Sequence, residues 1–493
     1  MPIAHGPAVC RERGAIGIMT ALLLPVIIGF VAFTLELAQI YNRKAEMQAL
    51  AEGIAVSAAR KLNGTSQGVG DALAAAHDLV TSGPRTEKKL HFRYHGTMTF
   101  LDAAIKFSNS PDEGAAWIGA EAAKAAPAGL AYAKVDTSEL DADYGKVELL
   151  LIRVLAKMAP VQLSHVAIAG RQRLNIMPLA ICDMSKDPAQ PFKERTNADG
   201  QSELTEYGFR RGVSYNLLKL SPHTTKAVHY MVDPVSLPPR GGNFTTAAVG
   251  PYVCNGTVEL PHVIGKVLNL QETFPIAQFV NHLNSRFNSF NATSKECSAN
   301  SAPPDTNTRS FAYTGANINW MSNPGRQVAD PAATPNRMET VADVDPSNPT
   351  SATYYGPLWV FARAVPWSSY KPGELEPAGG YTPFEATAAI WKSLYSPGPG
   401  LTTYPTDPKT KLQLPPYFAT QAAGAPATNF PGVMYRRVLN IPLLSCAVGS
   451  AAGSVLAIGR FFMTAPADPN GIYAEFAGVT LQEQVSGPVE LYR

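Results

Sequence analysis

From Ala15 to Leu35 the chain carries no charged residue (AIGIMTALLLPVIIGFVAFTL), and a run of that length matches the ~20 apolar residues that cross a bilayer core as a helix. A membrane span is the first expectation. A cleaved secretory signal is the competing reading, but its apolar core should be only about 7–15 residues with a small-x-small site directly after it. Glu36, Tyr41, Arg43 and Lys44 follow instead, so the segment reads as an uncleaved anchor. Arg11 and Arg13 on one side nearly balance Arg43 and Lys44 on the other, and the basic-residue rule barely discriminates orientation. Cysteines break the tie. Cys10 precedes the span, whereas Cys182, Cys254, Cys297 and Cys446 all follow it, an even set suited to an oxidising compartment. The tail is expected in the cytoplasm and the body outside it, with at least one disulfide among those four cysteines. Spacing leaves all three complete pairings open.

The helix is expected to continue past the membrane surface, because NRKAEMQALAEGIAVSAARKL places Met47, Leu50, Ala51, Ile54, Ala58 and Leu62 at three- and four-residue steps. From Gly14 to Leu62 it would reach ~70 Å, with Asn63 and Gly64 as the stop. Pro25 and Gly29 lie inside the span, where a kink is expected. Water would penalise exposure of the stripe by ~25 cal/mol per Å². Two covers are open: the chain's own body, or the corresponding helix of another subunit, with small Ala51 and Ala58 permitting close approach. Glu36, at the end of the span, either pairs with an amine, including Arg43, or is solvated at the interface.

The stretch from Arg11 to Leu62 resembles the amino-terminal region of TadG-like (TadE/TadG-related) proteins of the tight-adherence, or Flp, pilus assembly system. Arg11, Arg13, Gly14, Pro25, Glu36, Tyr41, Gln48 and the alanines from Ala49 to Ala59 take the places of that family's recurring elements. Glu36 stands where Asp is usual, and Glu52 replaces the usual Asp of the helix. Met19 occupies the place, five residues after Gly14, where prepilin-like relatives carry Glu, so prepilin-type cleavage is not expected. The resemblance implies a non-catalytic, single-pass structural or assembly component of a Flp-type pilus in the bacterial inner membrane. Its partners would be membrane lipid and other pilus subunits, met through the amino-terminal helix at Glu36, Met47, Leu50, Ile54 and Ala58.

The 493 residues divide, in this reading, into a cytoplasmic tail (1–14), the span with its extended helix (15–62), a helix-then-strand module (63–177), a mixed region (178–296), a Ser/Pro/Asn-rich loop (297–350) and a β-rich carboxyl-terminal region (351–493). The class is α+β. Ser110-Pro111-Asp112-Glu113 reads as a capping box opening a helix that ends near Pro127. KVELLLIRVLAKM, VQLSHVAIAG, LNIMPLAIC, PLWVFARAVPW, VLNIPLLSCAVG and GSVLAIGRFFMTA read as strands, and Phe274 to Phe287 as an amphipathic helix. Pro178-Leu179-Ala180-Ile181-Cys182 and Pro442-Leu443-Leu444-Ser445-Cys446 share P-L-x-x-C after Asn-Ile, which is taken as coincidence.

Chemistry is sparse. A net charge of +2 gives no bulk attraction for a nucleic acid. Some TadG-like proteins carry a von Willebrand A-type domain whose metal site begins D-x-S-x-S. The nearest match here is Asp183-Met184-Ser185-Lys186-Asp187, where a polar turn is preferred over a Mg²⁺ or Ca²⁺ site. His91 and His95 in HFRYH lack a nearby third ligand. No H-E-x-x-H, G-x-x-x-x-G-K-[ST], G-x-G-x-x-G or G-x-S-x-G occurs, and no enzyme activity, cofactor, metal or small-molecule substrate is expected. Trp359, Phe361 and Trp367, and Tyr354 with Tyr355, read as core rather than as an adhesive patch. The alternative function is an envelope-anchored adhesin or binding protein with a ligand or metal site near Asp183.

Overall fold

The computed structural model describes residues 13–62, 66–80, 101–149, 159–290, 297–311, 326–343, 358–385, 411–419, 432–446 and 453–492, apart from scattered positions within those ranges. The chain forms two compact units, Met1–Arg171 with Pro488–Arg493, and Gln172–Gly487. His91, His95, Tyr354, Tyr355, Cys10 and most of KVELLLIRVLAKM lie outside the described residues.

The first unit is built on helix α1 (Arg13–Ala59), 47 residues unbroken through Pro25. It is long and apolar enough to cross a membrane, with a window of mean hydropathy 2.5. Its two halves face different surroundings. Ile18, Leu22, Ile28, Phe30 and Phe33 are all more than half exposed, and side chains in that half point apolar groups in every direction, the pattern of a helix set in an apolar medium. From Met47 onward one stripe is buried.

That stripe meets a sheet. Strands β1 (Ile105–Ser108), β2 (Tyr132–Asp136) and β5 (Val166–Gly170) pair antiparallel, and β18 (Glu490–Leu491) returns from the end of the chain to pair with β5. Alternation puts every second side chain on one face, and the register aligns Ile105, Val135 and Ala167 in one row and Phe107, Ala133 and Ala169 in the next. These six share a core with Met47, Leu50, Ala51, Ile54, Ala55 and Ala58, and with Val69, Ala72 and Ala76 of α2 (Ser66–Val80). The alanines let helix and sheet approach closely. Short helices α3 (Ala120–Ala125) and α4 (Ala142–Gly145) and the small pair β3 (Lys146–Val147) with β4 (Val161–Gln162) complete the unit.

Three expectations are corrected. Met47, Leu50, Ile54 and Ala58 are 0–2% exposed, so the chain's own core covers the stripe and leaves no face there for another subunit's helix. Glu36 is 2% exposed, beside Ala32 on the extension of the same face, rather than solvated. Arg43 ion-pairs with Glu46 at 2.8 Å and donates to the Tyr144 carbonyl. The third correction is the expected capping box: among the described residues, Ser110, Pro111 and Asp112 open no helix, and Glu113 lies outside them. The chain turns back so that Ile118 and Phe107 exchange backbone bonds of 2.8 and 2.9 Å, and α3 starts only at Ala120.

The second unit holds a seven-stranded sheet ordered β10 (Ser214–Asn216), β17 (Tyr473–Thr480), β16 (Val455–Met463), β15 (Val438–Leu444), β6 (Leu179–Cys182), β11 (His229–Val232) and β12 (Leu270–Glu272). All neighbours are antiparallel except β6 and β15. Leu179, Ile181, Ile441 and Leu443 enter one core, and Ala180, Cys182, Leu444 and Ile458 enter another. Strands buried on both faces read as continuous apolar runs, which is why LAIC and PLL show no alternation. A smaller sheet joins β7 (Phe192–Thr196), β8 (Ser202–Glu206) and β9 (Phe209–Arg210), and β13 (Ala332–Thr334) pairs with β14 (Arg337–Glu339). Helices α5 (Thr246–Asn255) and α6 (Ile276–Asn284) flank the large sheet's unit. The regions 178–296, 297–350 and 351–493, its last six residues excepted, thus share one unit, since strands from the first and last build the same sheet. PLWVFARAVPW forms no named strand among the described residues.

Ile54→Ala removes a fully buried side chain from the core formed by α1 and the sheet and should lower stability by about 2–4 kcal/mol, read as a urea midpoint. Cysteines placed at Leu50 or Ile54 in a cysteine-free background should give no crosslink between copies; efficient dimer formation would contradict the burial.

Candidate functional site

The four cysteines of the body are paired. Cys182 is joined to Cys446 across 264 residues, with Cα atoms 5.6 Å apart, and Cys254 to Cys297 across 43, at 5.8 Å. The shared P-L-x-x-C is therefore structural: Leu443 pairs with Ile181 and Leu444 with Cys182 in the parallel ladder, and the disulfide staples the two strand ends.

Beside the sheet lies a cavity of about 620 Å³. Its floor is made by Val438 and Asn440 of β15, Arg460 directly opposite Asn440 on β16, and Thr480 of β17. Leu439, Ile441 and Phe461, one residue out of step, are fully buried, so alternation along the strands delivers the polar residues to the cavity. Asn255 and Gly256 at the end of α5, Arg286 just after α6, Phe361, Phe418 and the segment Val433–Arg436 form the walls. Gly256 closes α5 with φ 73°, the left-handed helix-ending conformation that glycine favours. A Cβ there would stand 2.8 Å from Arg286 Nη2, so the arginine needs the glycine.

Three guanidiniums line this space. Arg286 is 1% exposed; it donates to the Val253 carbonyl at 3.1 Å, the His282 carbonyl at 3.4 Å and Met177 Sδ at 3.3 Å. Arg436 donates to the carbonyls of Asn255 (2.6 Å), Cys254 (2.9 Å) and Pro303 (3.0 Å), tying the end of α5 to the segment anchored by Cys297. Arg460 Nη2 stands 3.7 Å from Glu376. Burial pulls Arg286 well below the usual guanidinium range and the charge of Arg436 adds to this. Burial brings Arg436 to about 10, with Asp305 opposing. Arg460 is also lowered by burial, against Glu376.

Carboxylates nearby are committed elsewhere. Asp305 accepts from the backbone N–H groups of Asn307 and Arg437 and from the Tyr417 hydroxyl, each at 2.9 Å. Glu376 accepts two bonds of 3.1 Å from Arg211, whose other partner is Glu206. Among the described residues lining the cavity there is no histidine, cysteine or carboxylate, so it offers no general base. What it offers is positive charge, amide groups and aromatic side chains.

Glu475 of β17 sets one wall. It is fully buried, and its oxygens accept from the N–H groups of Val360 (2.7 Å), Phe361 (2.9 Å) and Ala362 (2.8 Å). This pins the bend that carries Phe361, which stacks on Phe462 at 4.8 Å. Burial pushes the Glu475 carboxyl up to about 8, although the three donors pull it down.

The residues singled out in the sequence fall elsewhere. Asp183 Oδ1 accepts from the Ser185 N–H at 2.8 Å and its hydroxyl at 2.7 Å, a polar turn after β6, and burial raises its carboxyl. Among the described residues no group of three or more His, Cys, Asp or Glu is placed to hold a metal. Trp359 is fully buried; Phe361 reaches the cavity. Arg286, Arg436 and Arg460 were missed. Their signal was the setting: Arg436 lies two residues before the strand VLNIPLL, and Arg460 interrupts the apolar VLAIGRFFM, where a freely solvated charge is out of place. The chain matches no protein family, curated protein or solved structure.

Non-reducing peptide mapping should recover Cys182 linked to Cys446 and Cys254 linked to Cys297; any other pairing, or four free thiols, would contradict the structure. In the chain-entropy picture, Cys297→Ser should cost about 4 kcal/mol for a loop of that length. The raised Glu475 has a defined sign. Between about pH 4.5 and 8 the folded chain holds a proton that the unfolded chain has released, so stability falls as pH rises through that window. Glu475→Gln should flatten the decline of the urea midpoint from about pH 5 to 8; an unchanged decline would show that another group causes it.

Proposed function

We propose that the chain is a single-pass structural or assembly component of a Flp (tight-adherence) type pilus system, without catalysis of its own. In this reading it sits in the bacterial inner membrane with its amino terminus cytoplasmic and its bulk periplasmic. The observation that carries the reading is α1. From Ile18 to Ile28 it exposes apolar side chains all round, while from Met47 onward one face is core of a folded unit. A helix continuous from lipid into a domain fixes that domain's height and orientation at the membrane, as an assembly platform requires. Two disulfides in the body support an oxidising compartment, and the resemblance of residues 11–62 to TadG-like proteins supports the pilus. With the Met47–Ala58 stripe internal, the surface open to other pilus subunits within the membrane is the exposed half of α1. The arginine-lined cavity favours a second reading, an anchored envelope binding protein.

A periplasm-active reporter fused after Leu62 should be active, and deletion of the gene should abolish pili in a way that the full chain restores but a chain lacking residues 15–35 does not. A cytoplasm-only reporter active at that junction, or unaltered pili in the deletion strain, would overturn the proposal.

A further inference from the structure

We propose that the cavity of the second unit binds a small anionic molecule: one carboxylate or phosphate group borne on a body with an apolar ring face. This inference stands apart from the anchoring and pilus readings. Arg286, Arg436 and Arg460 come from three separate stretches of chain and converge on one space. Among the described residues, Arg286 and Arg436 bond only neutral acceptors, and the Nε–H groups of Arg286 and Arg460 meet no acceptor. Buried cations without counter-charge are costly; Asp305, whose charge acts on Arg436, already serves other donors, and Glu376, which pairs with Arg460 at 3.7 Å, is shared with Arg211. An anion within the cavity would supply the missing charge, in the setting where guanidinium forks recognise carboxylate and phosphate best.

The remaining lining describes the rest of the ligand. Phe361, Phe418 and Tyr435, in contact with one another, make one side aromatic, and Asn175, Asn440 and Gln484 offer amides. A volume of about 620 Å³ falls in the range of small-molecule sites. Bound there, the ring would lie against the aromatic wall with its acidic group toward the arginines.

The test uses the full chain in nanodiscs of zwitterionic lipid, titrated calorimetrically with benzoate, with phenyl phosphate and with neutral benzyl alcohol. At least one anion should bind saturably at one site per chain and benzyl alcohol should not; the tighter anion identifies the acidic group as carboxylate or phosphate. Arg460→Met should weaken that binding at least about tenfold, the worth of a charge-assisted contact. Asn440→Leu, which fills the floor while keeping every arginine, should weaken it too. Both positions are partly exposed, and a melting curve for each variant checks that it folds. No saturable binding of either anion, equal binding of benzyl alcohol, or affinities unchanged in both variants would overturn the proposal.

Discussion

Everything in the first unit depends on one helix that meets two surroundings. A helix of 47 residues reaches ~70 Å, more than twice the ~30 Å bilayer core. From Ile18 to Ile28 α1 has exposed apolar groups on every side, and a covered face begins only at Ala32 and Glu36. In the second half the same helix narrows to a stripe of Met47, Leu50, Ile54 and Ala58, flanked by Ala51, Ala55 and Ala59. Small side chains on both helix and sheet are what make this packing possible. Larger residues at Ala133, Ala167 or Ala169 would lift the helix from the sheet, and close-packed interiors tolerate such insertions poorly.

The second unit depends on a different constraint, the closure of β6 against β15. Among the described strands of the large sheet these two form the one parallel pair, and they stand about 260 residues apart in the chain. Such a distant pairing carries a loop-closure cost, which burial of both strand faces and the Cys182–Cys446 bridge offset. The second bridge works locally. It fixes Cys254 at the end of α5, from which Gly256, Arg286 and Arg436 take their places. The cavity is thus a product of packing at strand and helix ends, with its charges held by backbone carbonyls.

The long apolar run and the three- and four-residue stripe after it made α1 legible in the sequence to within three residues of its end, because both depend only on local periodicity. The helix around Phe279 and Leu283 was legible for the same reason. What covers the stripe was not, since the sheet that does so is assembled from strands as distant as Ile105 and Glu490. Ser110–Glu113 misled because a capping-box pattern is local, whereas the pairing of Ile118 with Phe107 that overrides it is tertiary. The arginines escaped notice because no motif spaces them: residues 286, 436 and 460 meet only once the sheet and α6 are built. The P-L-x-x-C echo was visible but its meaning was not, since parallel neighbours leave no spacing rule in a sequence.

The continuity of α1 from apolar medium into folded core is tested most directly by spin-label accessibility along residues 18–62 of the full chain in liposomes. One continuous helix predicts high oxygen accessibility around the whole circumference from Ile18 to Ile28. It then predicts a 3.6-residue rhythm in which labels at Met47, Leu50, Ile54 and Ala58 are shielded from both oxygen and water-soluble relaxant while intervening positions are water-accessible. Water accessibility between Ile18 and Ile28, or no rhythm beyond Met47, would contradict it.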